Sequence, residues 1–276
     1  MNRTRPKQMV IRVSEEEREE ISKKREYLVV KGNELVQRSR FDLSLSEQKT
    51  VAYICSMIKP IAATDRASGV PYILDYDFDI REYCKICGID YDNGKNYANV
   101  KATLQHLSDR SMWVTFPDKP DEEVLCRWLA KVRTNRKSGI AHVKIDEDLA
   151  PYLFDLGRSF TQYQLYNILG MKSAFSVRIY ELAKSYAFQK SKTFDLADLK
   201  QILMVDNVKS YKDFSLFRTK VLEVAQKEIN DLTDIRLYFE PITKGRKVVK
   251  IKFRIEVKTP IERMVAGAAV TERLDG

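Results

Sequence analysis

The chain has 276 residues, 44% of them hydrophobic, and a formal net charge of +9. That length and apolar content suit two domains of roughly 100–150 residues with cores of their own, and exclude wholesale disorder. No apolar run approaches the roughly 18 residues of a membrane span, the first residues lack the apolar core of a secretory signal, and four cysteines are few for a disulfide framework, so a cytoplasmic protein is expected.

Residues 1–13 read as a flexible basic tail, and SEEEREEISKKREY as a short charged helix in which Ser14 and Glu17 have capping-box spacing and acids precede bases. VVKGNELVQRSRFDLSLSEQKTVAYICSMIKP starts strand-like and becomes a helix. Ser46 is its expected cap, Val51, Ile54, Cys55 and Ile58 form its buried face, and Pro60 is its stop. Residues 61–71 read as a loop. YDFDIREYCKICGID predicts a short helix, with Asp79 as N-cap and Gly88 at its C-terminus. A turn at 91–96 leads into a helix with Val100, Leu104 and Leu107 on one stripe. SMWVTFP is a strand by its alternation, and EEVLCRWLAKVRTNRKSGIAHVKI predicts two more, joined by the basic turn TNRKSG.

After a bridging segment the order repeats. SAFSVRIYELAKSYAF predicts a helix with Val177, Tyr180, Leu182 and Ala183 inward, and KTFDLADLKQILMVD a short helix. FSLFRTKVLEVAQKEINDLT predicts a long helix with the stripe Phe214, Phe217, Val221, Val224 and Leu232. Two strands follow around the turn TKGR, then a loose tail. FDIREYCKICGID (78–90) and FDLADLKQILMVD (194–206) echo each other at the same rank in the two strings. Helix, short helix, turn, helix and hairpin is the order of a winged helix. The predicted fold is therefore α+β: tandem winged-helix domains, each a helix-turn-helix plus β-hairpin wing, related by pseudo-duplication. The expected division is a charged N-terminal segment (1–26), a first domain (27–150), a second domain (151–258) and a loose tail (259–276).

In a helix-turn-helix the short helix braces a second one that enters the major groove. In the second domain the residues placed to reach DNA are Lys209, Ser210, Lys212, Ser215, Arg218 and Thr219, with the wing cations Lys244, Arg246 and Lys247 around Gly245. Charge agrees: residues 1–150 carry 26 Lys and Arg against 24 Asp and Glu, residues 151–276 carry 22 against 15, and 236–258 alone carries 8 against 2. The first domain's reading helix has only Lys95 and Lys101 as cations, but its wing turn holds Arg133, Arg136 and Lys137. It is expected to be the weaker DNA contact and freer to serve as a protein interface.

No catalytic constellation, metal site or cofactor motif is expected. Cys84 and Cys87 form a CxxC without a second ligand pair, and Cys87 falls opposite the core position Leu203 of the echo, so both read as buried thiols. Gly88 to Asn96 departs from a P-loop in spacing and lacks its Ser or Thr. His106 and His142 are isolated, without the His-hydrophobic-His pair a nicking enzyme would need.

Three blocks, GNELVQRSRFDLSLSEQKTVAYI, SAFSVRIYELAKSY and FRTKVLEVAQKEINDLTDIRLYFEPITKGRKVVKIKFRI, resemble the iteron-binding replication initiators (Rep proteins) of theta-replicating plasmids. The pattern Arg-x-Tyr-Glu-Leu from Arg178 to Leu182 and the Glu-Ile-Asn from Glu228 to Asn230 are the most telling parts. The resemblance implies a bacterial, plasmid-encoded, non-enzymatic protein with two winged helices. Its C-terminal domain would read the iteron in the major groove. Its N-terminal domain would make a second double-stranded DNA contact in the monomer and the interface in the dimer. Monomers would open the origin and recruit host replication proteins such as a helicase or initiator, and dimers would repress the protein's own gene. A winged-helix transcriptional regulator without a replication role is the alternative that composition leaves open.

Overall fold

The computed structural model describes residues 14–61, 65, 67–89, 94–116, 119–157 and 159–275. The expected basic tail at 1–13, part of the loop at 61–71 and part of the turn at 91–96 lie outside the described residues.

Helix α1 (Glu15–Arg25) is built on charge. Ser14 Oγ accepts from the Glu17 N–H at 3.2 Å, the acids occupy the first turn and the bases the last, which suits the helix dipole. With Ile21 as its one apolar side chain against the core, it docks mainly through charged groups. Lys24 reaches Glu82 at 2.5 Å, Lys85 reaches Glu17, and the buried Arg25 donates to the carbonyls of Ile86 (2.9 Å) and Lys85 (3.3 Å).

Strand β1 (Leu28–Gly32) and helix α2 (Asn33–Gln37) lead to α3 (Leu45–Met57). Ser44, not Ser46, caps α3: its hydroxyl accepts from Glu47 N while the Glu47 carboxylate accepts from Ser44 N, a reciprocal box that needs the serine three residues ahead of the glutamate. Strand β2 (Asp75–Asp79), helix α4 (Ile80–Ile86) and helix α5 (Lys95–Asp109) follow, with Asp79 capping α4 and Val100, Leu104 and Leu107 buried as their spacing predicts. The segment 122–145 forms three strands rather than the two expected. Strand β3 (Ser111–Phe116) pairs with β4 (Lys119–Arg127) in a separate hairpin, and β5 (Leu129–Thr134) and β6 (Ile140–Ile145) make the wing. Trp128 interrupts what alternation alone reads as one strand.

Helix α6 (Pro151–Phe154), strand β7 (Phe160–Gln164) and helix α7 (Tyr166–Leu169) join the halves, with β7 pairing antiparallel with β1. The chain then forms α8 (Ala174–Ser185), β8 (Ser191–Asp195) and α9 (Leu196–Ile202). It continues through a 3-10 turn (Lys209–Lys212), α10 (Phe214–Phe217), a π-turn (Arg218–Leu222) and α11 (Glu223–Leu232), and ends with β9 (Ile235–Lys244) and β10 (Lys247–Val257).

The two three-stranded sheets have the same order, β2-β6-β5 and β8-β10-β9. The echo's opening Phe-Asp is the end of a short strand. Phe78 pairs with Ala141 and Phe194 with Ile251, both rings buried, and the following Asp begins the bracing helix. Strands this short carry too little alternation to be read before they find their sheet partner. The eleventh position of each copy also matches: Gly88 and Met204 both take left-handed backbone, φ 65° and 55°, and terminate the helix.

The expected loose tail at 259–276 is corrected: Pro260–Asp275 is a helix, α12. Thr259 and Glu262 cap it reciprocally, at 2.8 and 3.4 Å. Ala266 and Val270 are buried, Val270 against Gly170, and Asp275 pairs with Arg25 at 2.8 Å. Gly88 lies so close to this helix that a Cβ there would meet the Leu274 backbone, its Cα at 2.9 Å. A glycine-containing run has modest helix propensity, and docking supplies the rest. One hydrophobic cluster runs through both winged helices. Among the described residues no helix is long and apolar enough to cross a membrane.

Candidate nucleic-acid interface

The second helix-turn-helix is held in shape by its bracing helix. Lys200 on α9 donates to the Tyr211 carbonyl at 2.6 Å and sits 5.2 Å over the Phe217 ring, fastening the turn to α10. Burial lowers the Lys200 pKa. Leu203 and Val205 are buried beneath the turn, and Tyr211 meets Phe217 edge-on at 6.1 Å. Asp213 caps α10 by accepting from Ser215 N at 2.8 Å.

The outer surface of this unit carries the expected residues. Lys209, Ser210 and Lys212 are exposed on the 3-10 turn, Ser215 on α10, Arg218 and Thr219 in the π-turn. Thr219 donates its hydroxyl to the Ser215 carbonyl at 3.0 Å, which leaves that oxygen with acceptor capacity only. Arg218 Nε bonds Glu223 Oε1 at 2.8 Å. The inner stripe departs from the expected one. Val224 is 37% exposed and Ala225 takes the core position, because the π-turn inserts one residue into the helical repeat.

Lys244, Arg246 and Lys247 are exposed at the wing tip, where Gly245 at φ 62° makes the turn. Below the tip Lys250, Lys252 and Arg254 alternate outward along β10, with Arg254 4.6 Å over the Tyr238 ring. These three were not expected as site residues, although their period of two was visible in the sequence. In the first domain Arg136 and Lys137 sit in a turn pinned by Asn135, whose Oδ1 accepts from Lys137 N at 3.0 Å. Arg133 lies opposite His142 on β6, and His142 bonds Asp77 of β2, so a polar row crosses the outer sheet face beside this wing. Lys95 and Lys101 both lie on α5, at residues 95 and 101.

The CxxC is core. Cys84 and Cys87 are buried, and burial pushes their thiols up to about 11 and about 12. Among the described residues no group of three or more His, Cys, Asp and Glu is arranged to hold a metal.

The profile described as "Initiator Replication protein, WH1" matches residues 28–184, and "Initiator Rep protein, WH2" matches 195–255. The chain belongs to this family of replication initiators. Its members are initiators rather than enzymes; the first match runs from β1 through α8 and the second from the end of β8 into β10, so the break between them falls after α8. An Escherichia coli protein described as "Replication initiation protein" is 23% identical over 237 residues, covering 84% of this chain and 70% of that one. The crystal structure of the Pi initiator protein in complex with iteron DNA superposes with a TM-score of 0.65 at 21% identity, over 85% of this chain and 98% of that one; it shares the fold.

The residues most telling of the family resemblance are architectural. Arg178 donates to the Val36 and Ser39 carbonyls, both at 2.8 Å, and Tyr180 to Asp234 at 2.8 Å. The Glu228 carboxylate caps the start of α8, accepting from Lys172 N (2.8 Å) and Ser173 N (3.2 Å). Asn230 bonds the Leu237 backbone in both directions, at 3.1 and 2.7 Å. Arg178, Tyr180 and Glu228 are buried.

Proposed function

We propose that this replication initiator binds directly repeated duplex DNA, iterons at a plasmid origin, as a monomer, and represses its own gene as a dimer in the bacterial cytoplasm. The observation that carries the reading is the second helix-turn-helix. Its turn, reading helix and wing present Lys209, Ser210, Lys212, Ser215, Arg218, Thr219, Lys244, Arg246 and Lys247 outward on one braced unit. Hydroxyls and cations of this kind contact phosphates and base edges, and a wing grips the flanking backbone. The likeness to an initiator solved on iteron DNA supports the same reading.

In this proposal residues 151–258 are the main reader. Residues 27–150 supply a second DNA contact through Arg133, Arg136 and Lys137, together with the dimer interface. Host replication proteins, a helicase or initiator among them, are the further partners. The test uses the full chain and the DNA flanking its reading frame. Mobility shift and sedimentation should show monomers filling direct repeats of about 20 bp, two helical turns, and dimers on an inverted repeat. Binding to a lone palindrome with no direct repeat nearby would instead make the chain a transcriptional regulator.

A further inference from the structure

The reading helix is not a plain α-helix: Arg218–Leu222 forms a π-turn between α10 and α11. In an α-helix of 3.6 residues per turn, residues five apart point about 140° away from each other. The π-turn's i→i+5 bonding narrows that separation. Arg218 and Glu223 are joined twice as a result. The Glu223 N–H donates to the Arg218 carbonyl, and Arg218 Nε donates to Glu223 Oε1 at 2.8 Å.

Both side chains stay open to solvent, 54% and 41% exposed. An ion pair this exposed contributes little to stability. Its geometry suits another task. The bond to Glu223 occupies Nε and leaves the end-on pair Nη1 and Nη2 for a second partner. A guanine's O6 and N7 accept from such a fork, and that contact discriminates only while the guanidinium is held in plane. A carboxylate on a DNA-facing helix also weakens attraction to any phosphate backbone, so it penalises non-specific binding as it aims the arginine.

We propose that Glu223 is a positioning residue that locks Arg218 across the π-turn to read guanine. This rests on the reading of the second domain's helix as the DNA reader.

The experiment is selection of bound sites from a randomised duplex library by the full chain, its Arg218→Ala, Glu223→Ala and double variants, and Lys247→Ala. The wild type should enrich sites with fixed guanine at one position of the repeat. Arg218→Ala and Glu223→Ala should both relax that same position, each losing about 10-fold or more of the discrimination there. The double variant should lose no more than Arg218→Ala alone. Glu223→Ala should melt close to the wild-type temperature and bind random duplex at least as well as the wild type. Retained guanine preference in Glu223→Ala, or relaxation at a different position, overturns the positioning role. Failure of the underlying reading has another signature: Arg218→Ala and Lys247→Ala would both select and bind as the wild type does.

Discussion

Lys31 Nζ on β1 donates to Glu181 Oε1 on α8 at 2.6 Å, with the side chains 5% and 4% exposed. Tyr163 donates to the same oxygen, and Arg178, on the same helix as Glu181, reaches back to the carbonyls of Val36 and Ser39. Helix α8 is thereby bolted to β1, to the last turn of α2 and to the residues just after it. Substituting Glu181→Gln strands a buried ammonium and should destabilise the chain by about 3–5 kcal/mol, whereas Lys31→Met with Glu181→Leu should cost far less. Urea denaturation of the three variants measures it; equal losses for single and double variants would refute the pairing.

The same pair sets an acid response. Burial alone raises the Glu181 pKa, but the Lys31 charge and the hydrogen bonds from Lys31 and Tyr163 outweigh it and hold the carboxyl below its ordinary 4.5. A depressed carboxylate contributes its stability in full above the ordinary value and loses it as pH falls through the folded one. The gap in urea midpoint between wild type and Glu181→Gln should be widest near neutrality and narrow below about pH 4.5. A gap that stays constant down to pH 3 would count against it.

Met204 and Gly88 occupy the same position of the echo, both with positive φ. A side chain in left-handed backbone costs roughly 1–2 kcal/mol, partly offset by the extra freedom glycine has when unfolded. Met204→Gly should stabilise by about 0.5–1 kcal/mol. Gly88→Ala adds contact with the Leu274 backbone to the strain and should destabilise by about 2 kcal/mol or more. Thermal melts decide; a neutral Gly88→Ala would mean that α12 does not lie where it is placed.

Helix α12 offers an internal control. Val270 is buried and Val265 is 66% exposed on the same helix. Val270→Ala should cost about 2 kcal/mol and Val265→Ala no more than about 0.5 kcal/mol. Indistinguishable melts would return this segment to a loose tail.

In the proposed reading, the exposed Lys247 at the wing tip meets a phosphate rather than a base. Lys247→Ala should weaken specific and random duplex alike and flatten the plot of log affinity against log salt by about one unit. A loss confined to the specific site would reassign it to base reading.

The sequence by itself determined the two helix-turn-helix units, the turn residues and the wing cations. Those features are written in local signals: 3–4 spacing at Val100, Leu104 and Leu107, the cap Asp79, the closing Gly88, and the charge run around Gly245. Each depends on neighbours within about one helical turn or one strand. Tertiary structure alone decided what depends on distant partners. The short strands β2 and β8 exist because β6 and β10 pair with them, and α12 because it docks against Gly170 and Arg25. The π-turn is also beyond local pattern. Periodicity places Val224 inward, but packing puts Ala225 there instead and turns Glu223 toward Arg218. A one-residue shift in helical register changes little in propensity and much in which side chains meet, because contacts across the fold select the register.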